Sequence, residues 1–204
     1  MSLELSPGLL ASLARSPPPR LLLLRHADRE AIEPGDAGVS TRLTERGERQ
    51  ARALRRYLRE RGQAPRWGLS SPLLRCRRTA ELLGVEAGVS ELLGAPGCFM
   101  LDEARGGQVF AQHGVERIVR AHIEGRTWGC MRSPAAGARL LLDALSERLR
   151  GQVGTGVAIS HDAILMPVIA HLSGERFVDS WLAPLDGPVL TASSLVWRGT
   201  PWRL

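Results

Sequence analysis

Three short stretches of this chain carry residues that could do chemistry together. Arg25 and His26 stand directly behind the apolar run Leu21–Leu24, with Asp28, Arg29 and Glu30 crowded after them. Ser70 and Ser71 follow "RWGL", and Arg75 comes one helical turn later. Ser160, His161 and Asp162 close the apolar run "VGTGVAI". Two imidazoles amid arginines, with no cysteine ligands and no carboxylate cluster, suit an anion that carries several charges. Guanidinium forks match phosphate oxygens with paired hydrogen bonds. Nearby positive charge also lowers a histidine pKa and so keeps one imidazole neutral and nucleophilic. A neutral histidine attacking phosphorus gives a covalent phosphohistidine, which splits one hard displacement into two easier ones. Arginines around the transferring group can stabilise transition-state charge without a metal.

These residues can act together only if the fold brings them to one place. Leu21–Leu24 reads as a strand buried on both faces, "RWGLSS" as a second, Val157–Ser160 as a third and "SSLVW" as a last one. Helices separate them. "LTERGERQARALRRYLRERG" starts on Thr44 as N-cap and stops at Gly62; "LLRCRRTAELLG" is closed by Gly84. "GVERIVRAHIEG" places Val115, Ile118, Val119, His122 and Ile123 on one face. Ser133-Pro134 opens another helix, and "AILMPVIAHLSG" follows the third strand. Strands alternating with helices predict an α/β fold, a three-layer sandwich with a mostly parallel central sheet. In such sheets ligands sit beyond the carboxyl ends of the strands, so parallel strands would deliver all three loaded tips to the same edge. The leucines then anchor a rigid strand whose tip presents His26.

Composition bounds the rest. The 204 residues suit one domain over 1–204, with an N-terminal arm (1–19, a short helix or loose segment ending in Pro17-Pro18-Pro19) and an irregular inserted segment (91–132) that would arch over the cleft as a substrate cap. The net charge of +6 comes wholly from arginine, since there is no lysine. No aromatic-rich basic stretch or Cys/His finger accompanies it, so no nucleic-acid partner is expected. No window suits a bilayer span and the N-terminus is too broken for a secretory core, so neither membrane association nor export is expected and the location is cytoplasmic. Cys76, Cys98 and Cys130 lie far apart, suggesting neither a disulfide framework nor a zinc knuckle; no metal and no cofactor are expected. His113, His122 and His171 read as structural. The sequence carries no signal of oligomeric state.

The chain resembles the histidine phosphatase superfamily, the phosphoglycerate mutase-like group. "LLLLRHADRE" resembles its R-H-G signature, "LTERGERQARAL" its first helix, "LSSPLLRCRRTAELL" its S-S-P-x-x-R-x-x-x-T-A segment and "VAISHDAIL" its second-histidine strand. The resemblance implies His26 as nucleophile, Arg25 and Arg75 as phosphate ligands and His161 as the second phosphate-contacting histidine. Arg29 and the His161-Asp162 pair look like the acid-phosphatase branch, with its R-H-G-x-R and H-D. That similarity makes Arg29 a further phosphate ligand and Asp162 the proton donor, although an Asp at this place can also be a helix cap. The mutase branch takes its acid from the inserted segment, where Glu91, Asp102 and Glu103 are the candidates. Ala27 replaces the glycine of R-H-G, a departure that costs conformational energy only if the position needs φ > 0. The expectation is a metal-independent phosphomonoesterase acting on a phosphorylated small molecule or phosphoprotein. The alternatives are a mutase-type phosphotransferase and a catalytically weak phosphate-ligand binder. Cys98, Phe99, Phe110, Trp128 and Met131 could line the cap, with packing as their simpler role.

Overall fold

The computed structural model describes residues 5–32, 38–94 and 97–204. Parts of the expected arm (1–4), of the polar loop before Arg42 (33–37) and of the inserted segment (95–96) therefore lie outside the described residues. The elements run α1 (Pro7–Ala14), β1 (Arg20–Arg25), α2 (Glu45–Glu60), β2 (Pro65–Ser70), α3 (Leu74–Leu83), β3 (Ala87–Val89), α4 (Glu103–His113), α5 (Val115–Ile123), α6 (Pro134–Leu149), β4 (Thr155–Ser160), α7 (Asp162–Ser173), β5 (Val189–Leu190), β6 (Ser194–Trp197) and β7 (Thr200–Arg203). They build a seven-stranded sheet in the order β3-β2-β4-β1-β5-β6-β7. β3, β2, β4 and β1 pair in parallel. β5, β6 and β7 continue the sheet antiparallel from β1, so the sheet is mixed, with a parallel half that carries the loaded tips.

The four leucines behave as a doubly buried strand should. Leu21 and Leu23 enter one core with α5, α6 and α7, while Leu22 and Leu24 enter the other with α1, α2 and α3. This is the three-layer arrangement. Helix starts and stops follow local chemistry: the Thr44 hydroxyl accepts from Gly47 N at 3.0 Å, Ser133 accepts from Ala136 N at 3.2 Å, and Gly84 ends α3 at φ 90°. Gly47 has a further duty. A Cβ there would come within 2.0 Å of the Asp28 carbonyl oxygen, so the start of α2 can close on the loop after β1 only as glycine.

α5 departs from the expected face in one residue. Ile118, Val119 and His122 are buried, but Val115 is exposed in the first turn of the helix. Cys98, Phe99 and Met131 belong to the core, and Phe110 and Trp128 pack against it, which is the packing role rather than a lining one. Within the arm Pro7–Ala14 form a short helix that docks with Leu9 and Leu13 buried. Among the described residues no helix is long and apolar enough to cross a membrane.

Candidate active site

The parallel register sets the strand tips level. Arg25 pairs with Ser160 across β1 and β4, and Ser70 pairs with Ile159 across β2 and β4. The ladders run one step past the strands: His26 N donates to Ser160 O at 2.9 Å and Ser71 N to Ile159 O at 2.9 Å. His26 and Ser71 are thereby placed by backbone bonds rather than by loose loops, and His161 is held between the end of β4 and the first turn of α7, where its carbonyl accepts from Leu165 N at 2.9 Å. The imidazole rings of His26 and His161 meet edge to face with centroids 5.3 Å apart.

Arg75, in the first turn of α3, reaches both rings. Its Nε donates to His26 Nε2 at 3.2 Å, its Nη2 lies 3.3 Å from His161 Nδ1, and its Nη1 donates to Gly38 O at 2.6 Å. A guanidinium is donor only, so both ring nitrogens facing it must be acceptors. The remaining ring nitrogens agree. His26 Nδ1 lies 2.7 Å from the Ala27 carbonyl, which only accepts, and His161 Nε2 lies 2.9 Å from Ser71 Oγ. Both imidazoles are therefore neutral, each with its lone pair turned towards Arg75. The electrostatics concur. Burial pushes the His26 imidazole well below its ordinary range, and Arg75 and Arg25 add to this against the raising influence of the Ala27 carbonyl and Asp162. Burial lowers His161 as well, followed by His26 and the arginines.

Arg25 is held differently. Its Nη2 forms an ion pair with Asp162 Oδ2 at 2.9 Å, and its Nη1 donates to the Leu182 carbonyl. Its Nε is buried with no hydrogen-bond partner among the described residues. Asp162 is the first residue of α7, after His161 as N-cap. Its Oδ1 accepts from Ala163 N at 2.9 Å, and its Oδ2 also accepts from Trp181 Nε1 at 2.8 Å. Burial alone would raise this carboxyl, but Arg25, Trp181, His26 and the Ala163 N–H together hold it below the usual carboxylate range. Arg29 lies close enough to feel Asp162 and Arg25, and its Nη1 donates to Glu30 O at 2.6 Å. No hydrogen bond joins it to either histidine among the described residues.

The sequence-predicted residues thus come together as two bonded groups, His26–Arg75–His161 and Arg25–Asp162, which sit side by side at the tips of β1 and β4 and feel each other's charge, with Arg29 beside them. The alternative acids do not join them. Asp102 caps α4 through Arg105 N at 3.0 Å, and Glu91 and Glu103 are exposed. Ala27 has no left-handed φ, and its methyl group is buried in the core beside α2 and α3, so neither strain nor crowding attends the missing glycine. His122 is structural, with Nε2 2.9 Å from Arg132 O; His113 stacks on Trp128 and His171 is exposed. Sequence reasoning missed Trp181, whose segment has no periodic signal. It gave Thr79 no role beyond the motif, yet that hydroxyl accepts from Ala27 N at 3.1 Å and donates to Arg75 O at 2.7 Å. No three His, Cys, Asp or Glu side chains among the described residues group to hold a metal.

Residues 21–94, rather more than a third of the chain, match the family model of the histidine phosphatase superfamily (branch 1). His161 and Asp162 lie beyond the matched stretch, and their place in the site comes from geometry. Solved structures share the fold. A mycobacterial glucosyl-3-phosphoglycerate phosphatase in complex with inorganic phosphate is 21% identical, with a TM-score of 0.58 over 91% of this chain and 97% of that one. A protein from Thermus thermophilus is 24% identical, with a TM-score of 0.55 over 91% of this chain and 99% of that one. A mycobacterial hydrolase is 18% identical, with a TM-score of 0.58 over 91% of this chain and 92% of that one. No curated protein matches the chain in sequence.

Proposed function

We propose that the chain is a phosphatase that hydrolyses phosphate monoesters through a phosphohistidine on His26. The observation that carries this reading is the Arg75 fork spanning the lone pairs of two buried neutral histidines. Arg25 stands beside it with a buried, unpartnered Nε. A dianionic phosphate entering here exchanges neutral acceptors on Arg75 for its own oxygens and supplies the acceptor that Arg25 Nε lacks. The His26 Nε2 lone pair then attacks phosphorus as the P–O ester bond breaks, while Nδ1–H stays on the Ala27 carbonyl and keeps the ring aligned. Arg25, Arg29, Arg75 and His161 stabilise the charge on the equatorial oxygens.

Asp162 protonates the leaving oxygen. It is ionised in the resting site, but the incoming dianion competes for Arg25 and repels the carboxylate, and both effects raise its pKa. It takes its proton from solvent or from the monoanionic ester, passes it to the leaving alkoxide, and as carboxylate then accepts a proton from the water that attacks the phosphohistidine. Breaking the P–N bond returns neutral His26 and releases inorganic phosphate. The arginines supply the charge that a metal would otherwise bring, so the reaction proceeds without one.

The test uses purified protein with p-nitrophenyl phosphate. Turnover should persist in EDTA and be inhibited by vanadate. His26→Ala should lower kcat by at least ~10³-fold while the melting temperature changes little. Quenched wild-type enzyme should carry acid-labile, alkali-stable phosphate. Near wild-type turnover in His26→Ala, or activity lost to chelation and restored by a divalent ion, overturns the reading.

A further inference from the structure

The two serines at the β2 tip were singled out together, but the structure gives them different work. Ser70 Oγ donates to the Ser71 carbonyl at 2.8 Å and stays within its own turn. Ser71 is fully buried, its backbone is fixed to β4, and its Oγ lies 2.9 Å from His161 Nε2. We propose that Ser71 is a positioning residue: its hydroxyl selects the His161 tautomer that aims Arg75 at His26. This rests on the phosphatase reading for its catalytic meaning, while its structural content stands on hydrogen-bond direction alone.

A neutral imidazole has one N–H and one lone pair, and the two can exchange places. Arg75 Nη2 can only donate, so it is satisfied by His161 only when Nδ1 carries the lone pair. The proton must then sit on Nε2 and needs an acceptor there. Ser71 Oγ is that acceptor at 2.9 Å; the alternative, Cys76 Sγ, lies at 3.4 Å and accepts weakly. Without the hydroxyl, the other tautomer becomes competitive and turns an N–H against the guanidinium. Arg75 then loses one of its three acceptors, and the donor on His26 Nε2 shares the same planar fork. Among the described residues no hydrogen bond joins Ser71 to Arg75 or His26, so its influence travels through the His161 ring. A purely structural role would rest on its acceptance of Leu73 N at 3.3 Å, at the start of α3, and on its hydrogen bond with the Cys76 side chain.

The experiment reads ring-nitrogen NMR shifts in the full-length, ¹⁵N-labelled chain. Wild type should show His161 with the proton on Nε2 and an accepting Nδ1. Ser71→Ala should mix the two tautomers, and Ser71→Thr, which keeps the hydroxyl, should restore the wild-type pattern. With p-nitrophenyl phosphate, Ser71→Ala should lose roughly ten-fold in kcat/KM, the worth of about one hydrogen bond, and vanadate inhibition should weaken in parallel. Wild-type His161 carrying its proton on Nδ1 overturns the proposal with no variant needed. So does an unchanged tautomer in folded Ser71→Ala, or a tautomer shift with unchanged kcat/KM. A wild-type protein that turns over no phosphate ester, yet shows the expected tautomer and its loss in Ser71→Ala, keeps the positioning role and overturns the phosphatase reading instead.

Discussion

Replacing Asp162 by Asn separates the two jobs that the proposed reaction assigns to its carboxylate. In the resting site it accepts three hydrogen bonds, from Arg25, Trp181 and the Ala163 N–H. An amide has one acceptor oxygen, so at least one of these donors loses its partner, at a cost of about 1 kcal/mol in stability. Binding should move the other way. Removing the carboxylate leaves Arg25, Arg29 and Arg75 without their nearby anion and frees Arg25 Nη2 for phosphate. Two unit charges about 4 Å apart at an effective dielectric of 20 interact by ~4 kcal/mol; with most of that offset by solvation, a gain of roughly ten-fold in vanadate affinity remains. Catalysis should fall, in proportion to how badly the leaving oxygen needs a proton. General acid catalysis is worth ~10²–10⁴-fold, and p-nitrophenolate leaves without help whereas an alkyl alkoxide does not. The assay is a series of phosphate esters graded by leaving-group pKa. A steeper dependence of rate on that pKa in Asp162→Asn, with tighter vanadate inhibition, is the expected result. An unchanged slope refutes Asp162 as the acid, and weaker vanadate inhibition refutes its competition for Arg25.

Two further outcomes follow from burial. His26 and His161 titrate well below the ordinary histidine range in the folded chain, so below a pH of about 6.5 the unfolded chain binds protons that the folded chain refuses, and stability must fall as pH drops. His26→Asn should remove one group's share, flattening the denaturation free energy by up to ~1.4 kcal/mol per pH unit below that point, and an unaltered slope would show that His26 is charged when folded. Ala27→Gly should cost about 1–2 kcal/mol in urea unfolding, from one lost buried methyl group and a more flexible unfolded chain, while kcat stays within two-fold; a large change in kcat would mean that the methyl group faces the phosphate.

What could be read from the sequence was whatever the backbone period and a polar tip announce together. Leu21–Leu24 and Val157–Ile159 are apolar without alternation, which marks them as strands buried on both faces, and each ends on a polar tip. The antiparallel half was not legible in the same way. β5 is two residues long, too short for any period to register, as is the three-residue β3 on the parallel side, and β7 is built from Thr200, Pro201, Trp202 and Arg203. Only β6 has enough apolar residues to stand out. The partners of the catalytic groups were hidden for another reason: they are chosen by tertiary approach. Trp181 reaches Asp162 and Leu182 offers its carbonyl to Arg25 from a segment without regular structure. The freedom of Ala27 from strain depends on a φ angle that no residue type reveals.

The arginines, alike in sequence, are prepared for different duties by what holds them. Arg75 is fixed by neutral acceptors only: two imidazole nitrogens and a carbonyl. Each such bond is weaker than one from the same guanidinium to an anion, so a phosphate displaces them at little cost, and Thr79 keeps the backbone of Arg75 in place while it does so. Arg25 is held by a carboxylate in a partly buried pair, and phosphate must replace one anion by another. In the proposed reaction that exchange sets the order of events. Arg75 can bind the ester while Asp162 is still ionised, and only the shift of Arg25 from carboxylate to phosphate leaves Asp162 as an uncompensated buried charge, which burial then drives to take up a proton. On this reading the acid is armed by the presence of the phosphate it would help to cleave, and it stays ionised, bound to Arg25, in the resting site.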